Sequence, residues 1–157
     1  MERWRAMLSR RFAVLCFLAW AGCKPTGRQP ESVLQLNKLG KMAKLTYSQT
    51  SSFVVGTAVQ VPKKPGIGGC CGGTGTMPNH CRADPAGLAA DPVWRSLDFQ
   101  IDEDSLFYYD YTGTRTSFTA RATGDLDCDG TEIVYTLVGT AVDGAPQLQL
   151  IEPLNWD

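Results

Sequence analysis

The stretch of residues 118–137 reads Phe118-Thr-Ala-Arg-Ala-Thr-Gly-Asp-Leu-Asp-Cys-Asp-Gly-Thr-Glu-Ile-Val-Tyr-Thr-Leu137. Apolar and polar residues alternate in both of its halves, which is typical of strands that bury one face. Its middle is rich in glycine and aspartate, the residues that most readily reverse a chain. The stretch therefore predicts a β-hairpin with an acidic turn.

The turn carries carboxylates at Asp125, Asp127 and Asp129. At this spacing in a looped backbone, three carboxylates can converge on one hard cation, as in calcium loops of the Asp-x-Asp-x-Asp-Gly type. A complete EF-hand is excluded, because its twelfth position holds Thr136 instead of a bidentate Glu. Glu132 or a backbone carbonyl could complete a smaller site. The sequence thus predicts either a Ca²⁺ site or a solvated acidic turn.

The remaining chain predicts one helix, one long loop and further strands. Residues 31–51 repeat apolar residues at helical spacing, and this face consists of Val33, Leu36, Leu39, Ala43 and Tyr47. Residues 62–92 are rich in Gly and Pro and predict a loop. Strands are expected near 94–101, 106–112, 115–123, 131–139 and 146–151. Short turns between them indicate an antiparallel meander and an α+β fold.

The first 22 residues predict an export signal, with a basic start, an apolar run over 12–20 and small residues before Cys23. That run is shorter than the about 20 residues that a membrane-spanning helix needs. Ala21-Gly22-Cys23 resembles the lipobox of bacterial lipoproteins, in which the cysteine is acylated and becomes the mature N-terminus. An ordinary signal peptide cut nearby is the alternative. The expected localisation is the outer membrane or periplasm, or the cell surface.

Charge divides the mature chain into two parts. Residues 23–82 carry a net charge of +7 and residues 83–157 a net charge of −11, so the mature total is −4. Such a chain can pair its own halves or self-associate with other copies, and the alternative is two solvated faces. The acidic sheet region argues against nucleic acid as a partner.

Four cysteines follow Cys23 in the mature chain: Cys70, Cys71, Cys81 and Cys128. An even number in an exported chain predicts two disulfides. Adjacent cysteines rarely bridge each other, because the linkage strains the peptide between them. Cys70 and Cys71 are therefore each expected to pair with one of the other two. The neighbouring His80 leaves zinc as an alternative.

Four aromatic residues could form a second kind of binding site. Tyr108, Tyr109 and Tyr111, together with Trp94, could bind a glycan or small ligand on an exposed sheet face, whereas core packing is the other interpretation.

The order of these features resembles the globular domain of type IV pilin-like proteins, especially cysteine-rich ones of myxobacterial type. The resemblance spans about residues 31–152, and its most specific part is Thr119-Ala-Arg-Ala-Thr-Gly-Asp-Leu-Asp-Cys-Asp-Gly130. It implies one N-terminal helix packed along a four- to five-stranded antiparallel sheet, with a long disulfide-tied loop. In some relatives an acidic loop near the sheet edge binds Ca²⁺. The apolar stem helix of pilins has no counterpart in the polar residues 24–50, so a lipid on Cys23 would replace it as the anchor.

The sequence therefore predicts a non-enzymatic exported lipoprotein, either structural or adhesive, or an accessory of a type IV pilus or secretion system. Its parts would be a signal peptide (1–22), a lipid tether (23–30), a pilin-like domain (31–152) and a short tail (153–157). Expected partners are a membrane, through the lipid anchor, and proteins of a pilus or secretion apparatus. A glycan-binding lipoprotein is the main alternative. A hydrolase that uses a metal held by the three aspartates is a weaker one.

Overall fold

The strands form a single antiparallel sheet, and the computed structural model describes residues 30–63 and 69–154 of the chain. The elements are α1 (Glu31–Thr50), β1 (Gly56–Thr57), α2 (Pro85–Ala90), α3 (Pro92–Ser96), β2 (Tyr108–Gly113), β3 (Ser117–Gly124), β4 (Ile133–Val142) and β5 (Ala145–Ile151). Neighbours in the sheet follow chain order from β1 to β5. The predicted α+β fold, one N-terminal helix on an antiparallel sheet, is confirmed.

The long helix α1 lies across β3, β4 and β5 and buries the face that its sequence predicted. Leu36 and Leu39 have no exposed surface, and they belong to the same buried core as Ala120 of β3 and Leu137 of β4. Burying a leucine side chain contributes about 1.5–3 kcal/mol, so this contact is a main source of stability. Leu34 and Leu45, on the outer face of α1, are half exposed.

The start of α1 is tied to the sheet by Glu31. The Tyr109 hydroxyl donates to Glu31 Oε1 at 2.9 Å, and the backbone N–H of Leu106 donates to Oε2 at 3.1 Å. Burial, together with the Glu31 carboxylate, raises the pKa of Tyr109, so the phenol remains a donor. These bonds hold the start of α1 against Tyr109 of β2 and against the segment that precedes that strand.

Four of the five predicted strands are confirmed, but the strand expected near 94–101 is wrong. Residues 92–96 form helix α3, because Asp91 caps it and Pro92 occupies the first turn. Asp91 Oδ1 accepts from the backbone N–H groups of Val93 and Trp94 at 2.8 and 3.1 Å. The fifth strand of the sheet is instead the two-residue β1, paired with the end of β2.

The aromatic residues lie in the core and not on an exposed face. Tyr109, Tyr111 and Trp94 have no exposed surface, and Tyr108, on the opposite side of β2, is 7% exposed. The Trp94 indole N–H donates to the Val59 carbonyl at 2.7 Å. These side chains therefore do not provide the surface that a glycan-binding function would need.

The predicted signal peptide, Cys23 and its tether lie outside the described residues, as do the last three residues of the tail. None of the helices in the described part of the chain has the length and apolar character to cross a bilayer.

Candidate metal centre

The candidate site is the turn of residues 125–132, between β3 and β4. Strand pairing holds its two ends together, since Gly124 lies opposite Ile133 in the register of β3 and β4. Inside the turn the backbone takes left-handed values at Cys128 (φ 65°) and Gly130 (φ 94°). A non-glycine residue at positive φ is uncommon and marks a turn with a special shape.

This shape brings the three predicted aspartates together. One carboxylate oxygen from each of Asp125, Asp127 and Asp129 lies within 4.8 Å of those of the other two. Ca²⁺ binds oxygens at 2.3–2.6 Å, so two oxygens on opposite sides of one ion are about 4.6–5.2 Å apart. Around Mg²⁺ every pair must lie within about 4.2 Å. The observed upper limit of 4.8 Å is compatible with the spacing of oxygens around Ca²⁺.

Asp125 is the buried member of the group, with 2% of its surface exposed. Its Oδ2 accepts from the backbone N–H of Gly130 at 3.0 Å. Its Oδ1 is buried and has no hydrogen-bond partner among the described residues. A buried carboxylate oxygen without a partner is costly, and a bound cation would satisfy it.

The exposed members of the group are held by short-range bonds. Asp127 Oδ1 accepts from the backbone N–H of Asp129 at 3.1 Å, and Asp129 Oδ1 accepts from that of Thr131 at 2.7 Å. Hydrogen bonds from the side chain and backbone of Thr131 lower the pKa of Asp129. The carboxylate is therefore ionised at neutral pH, the state that binds a cation.

Glu132, the fourth predicted ligand, lies outside this group of three carboxylates. Its Oε1 accepts from the backbone N–H of Gly69 at 3.1 Å, and its Oε2 accepts from the Tyr108 hydroxyl at 3.2 Å. The side chain therefore joins the turn to β2 and to the loop that carries Cys70 and Cys71, which we call the cysteine loop.

The cysteines pair in the predicted manner, since each member of the adjacent pair bridges to a distant cysteine. Cys70 bonds to Cys81, and Cys71 bonds to Cys128 inside the acidic turn. The Cys71 sulfur also lies 3.2 Å from the carbonyl oxygen of Asp125. Because all four thiols are used in disulfides, they cannot serve as zinc ligands beside His80.

Gly69 is a site residue that the sequence analysis missed. Its φ is +61°, and a Cβ built on it would lie 2.9 Å from the backbone nitrogen of Asp125. Only glycine lets the cysteine loop come this close to the turn. Its sequence signal was weak, because it lies among several other glycines.

No protein-family model, no curated protein and no solved structure matches this chain. A function must therefore be inferred from the geometry of the acidic turn. This turn presents three carboxylates, one of them buried, and is held by strand pairing, a disulfide and Glu132.

Proposed function

We propose that this chain is a non-enzymatic, exported, pilin-like lipoprotein whose folded domain is stabilised by Ca²⁺ and acts through protein contacts at a membrane surface. Its role would be structural or adhesive, or that of an accessory to a pilus or secretion apparatus. The calcium part rests on the buried Oδ1 of Asp125, which has no hydrogen-bond partner among the described residues and belongs to a side chain clustered with Asp127 and Asp129.

Two further features support the exported, pilin-like part. Disulfides persist in oxidising compartments, and this small domain has two of them. The helix packed along an antiparallel sheet agrees with the fold that the pilin resemblance implies.

A non-enzymatic role is favoured by what the reactive groups do in the fold. The cysteines at 70, 71, 81 and 128 are in disulfides. The single histidine of the sequence, His80, has its Nδ1 2.7 Å from the Pro78 carbonyl oxygen. The three clustered aspartates lie in one turn, where a structural cation is the simplest use of them.

The calcium part is tested by thermal unfolding of the oxidised protein. Ca²⁺ at tenfold above its Kd stabilises the folded state by about 1.4 kcal/mol. For a domain of this size the Tm should rise by about 5 °C. Mg²⁺ at the same concentration should do less, because it demands a tighter octahedron. A Tm that Ca²⁺ leaves unchanged would contradict this part of the proposal.

The anchor is tested separately by Cys23→Ser. We expect the variant to leave the membrane fraction after a high-salt wash, while the wild-type protein stays in it, because acyl chains provide the stable attachment. Mass spectrometry should find acyl groups on Cys23 of the wild type. A variant that still sediments with membranes, or a wild type without acyl groups, would show that the anchor is something else.

A further inference from the structure

The two disulfides differ in how far solvent can reach them. Cys70 and Cys81 are 0% and 1% exposed. The backbone of Cys81 is also paired with that of Ser105 through two hydrogen bonds of 2.8 and 3.0 Å. Cys71 and Cys128 are only partly buried. A reductant must reach a sulfur atom to react with it, and the partial exposure of Cys71 and Cys128 makes their bond the more accessible of the two.

The accessible bond is also the one built into the acidic turn. Cys128 lies between Asp127 and Asp129 in the chain and has the left-handed φ of 65°. Its bond to Cys71 restrains this backbone conformation, on which the convergence of the carboxylates depends. If the bond opens, Cys128 is free to leave a conformation that non-glycine residues rarely adopt.

We infer that Cys71–Cys128 is a thiol-exchange site, and that its reduction by a dithiol weakens Ca²⁺ binding at the acidic turn. The inference rests on the calcium site proposed above. It adds a chemical reaction at a defined bond and a way to regulate the site. Cys70–Cys81 has no such role, because it is buried and lies outside the turn.

The reaction is an ordinary dithiol–disulfide exchange. A thiolate of the dithiol attacks one sulfur of the Cys71–Cys128 bond, forms a mixed disulfide and expels the other cysteine as a thiolate. The second thiolate of the dithiol then attacks the mixed disulfide and releases the cysteine that is still bound to it. The reagent leaves with its own two sulfurs joined in a disulfide. Two electrons and two protons pass from the dithiol to Cys71 and Cys128.

Linkage makes the effect reciprocal. If reduction weakens Ca²⁺ binding by a given factor, Ca²⁺ must make the disulfide harder to reduce by the same factor. Loss of a group that holds metal ligands in place commonly costs about 10- to 100-fold in metal affinity. We expect the Ca²⁺ Kd to rise by about that factor, and bound Ca²⁺ to oppose reduction equally.

The experiment titrates the oxidised protein with dithiothreitol, followed by alkylation and peptide mapping. Cys71 and Cys128 should be alkylated at dithiothreitol concentrations that leave Cys70 and Cys81 bridged. The Ca²⁺ Kd is then measured by calorimetry for the oxidised protein and for this partly reduced form. Adding Ca²⁺ should raise the dithiothreitol concentration needed to open Cys71–Cys128.

Two double variants provide a matched comparison. Cys71→Ser with Cys128→Ser should weaken Ca²⁺ binding like reduction, whereas Cys70→Ser with Cys81→Ser should keep the wild-type Kd. If either variant does not fold, the partly reduced wild-type protein still gives the answer.

Three results would overturn the inference alone: earlier opening of Cys70–Cys81, equal Ca²⁺ Kd values before and after reduction, or a reduction that Ca²⁺ does not oppose. If the oxidised protein bound no Ca²⁺ at all, the calcium site would be wrong and this inference with it.

Discussion

Replacing Gly69 by alanine should damage both the stability of the domain and its acidic turn. The new Cβ would lie 2.9 Å from the backbone nitrogen of Asp125, closer than such atoms pack. Backbone atoms cannot swing aside as a side chain can, so either the cysteine loop or the turn must move. The N–H of Gly69 would then lose its 3.1 Å bond to Glu132.

Gly72 provides the matched control, because its φ of +68° resembles the +61° of Gly69 but a Cβ there meets no atom of the described residues within 4 Å. Both alanines cost about 1–2 kcal/mol for the left-handed conformation. Only Gly69→Ala adds overpacking, which costs about a further 1–3 kcal/mol. The difference between the two variants therefore isolates the contact with Asp125.

Urea unfolding with the disulfides intact measures this difference. Gly69→Ala should unfold at a lower urea midpoint than Gly72→Ala, with an unchanged slope. Its Ca²⁺ affinity should also fall, whereas that of Gly72→Ala should stay close to the wild-type value. Equal midpoints for the two variants would show that the close approach of Gly69 to Asp125 does not limit the residue at position 69.

Three further predictions concern groups that hold the fold. Burial alone would raise the pKa of Asp91, but hydrogen bonds from the backbone N–H groups of Val59, Trp94 and Val93 lower it. Asp91→Ala should therefore reduce the free energy of unfolding, measured in urea at pH 7, by about 2–4 kcal/mol. Asp91→Asn should reduce it clearly less, because its side chain still accepts hydrogen bonds at the start of α3. Hydrogen bonds from the backbone of Thr76 and Ala83, and from the Thr76 hydroxyl, lower the pKa of Asp104 from 3.8 to about 2. Because the pKa of Asp104 is lower in the folded state than in the unfolded state, the carboxylate stabilises the fold fully above about pH 4, and this stabilisation is lost as the pH falls toward 2. Asp104→Asn should remove this part of the acid dependence of the urea midpoint. Glu31→Ala removes the acceptor of the hydrogen bonds from Tyr109 and Leu106, so it should lower the Tm and speed amide hydrogen exchange in the first turn of α1. Unchanged exchange there would show that Glu31 does not anchor the helix.

The sequence predicted those parts of the fold that local pattern determines. The helix over 31–51 has several turns of consistent apolar spacing, and the hairpin around the acidic turn has clear alternation on both sides. Both therefore appear close to their predicted bounds, at Glu31–Thr50 and at Ser117–Gly124 with Ile133–Val142.

Other parts depend on tertiary context. Val93–Phe99 contains large apolar residues that suit a strand, but Asp91 followed by Pro92 starts a helix, and this short capping signal outweighs the pattern. Strand β1 has two residues, too few to produce any periodicity. It exists because the chain after α1 passes along the edge of β2.

The candidate site, too, was predicted from the sequence only where local pattern determines it. The spacing of the aspartates indicated that their carboxylates can converge, and it left a solvated acidic turn as the alternative. The sequence could not choose between the two cysteine pairings, because that choice depends on the path of the loop. Neither could it reveal the burial of Asp125 nor the close approach of Gly69, since both arise from the loop packing against the turn.

The proposed function depends on Ca²⁺ binding at the acidic turn, which calorimetric titration of the oxidised protein measures. We predict one Ca²⁺ per chain, with a Kd in the range of about 10⁻⁴–10⁻³ M that is typical of extracellular modules. Asp127→Asn should abolish most of this binding. Asp143→Asn, which removes the same charge from the exposed turn between β4 and β5, should leave it intact. Absence of binding by the wild type at millimolar Ca²⁺, or equal binding by the Asp127→Asn variant, would show that the acidic turn is not a Ca²⁺ site.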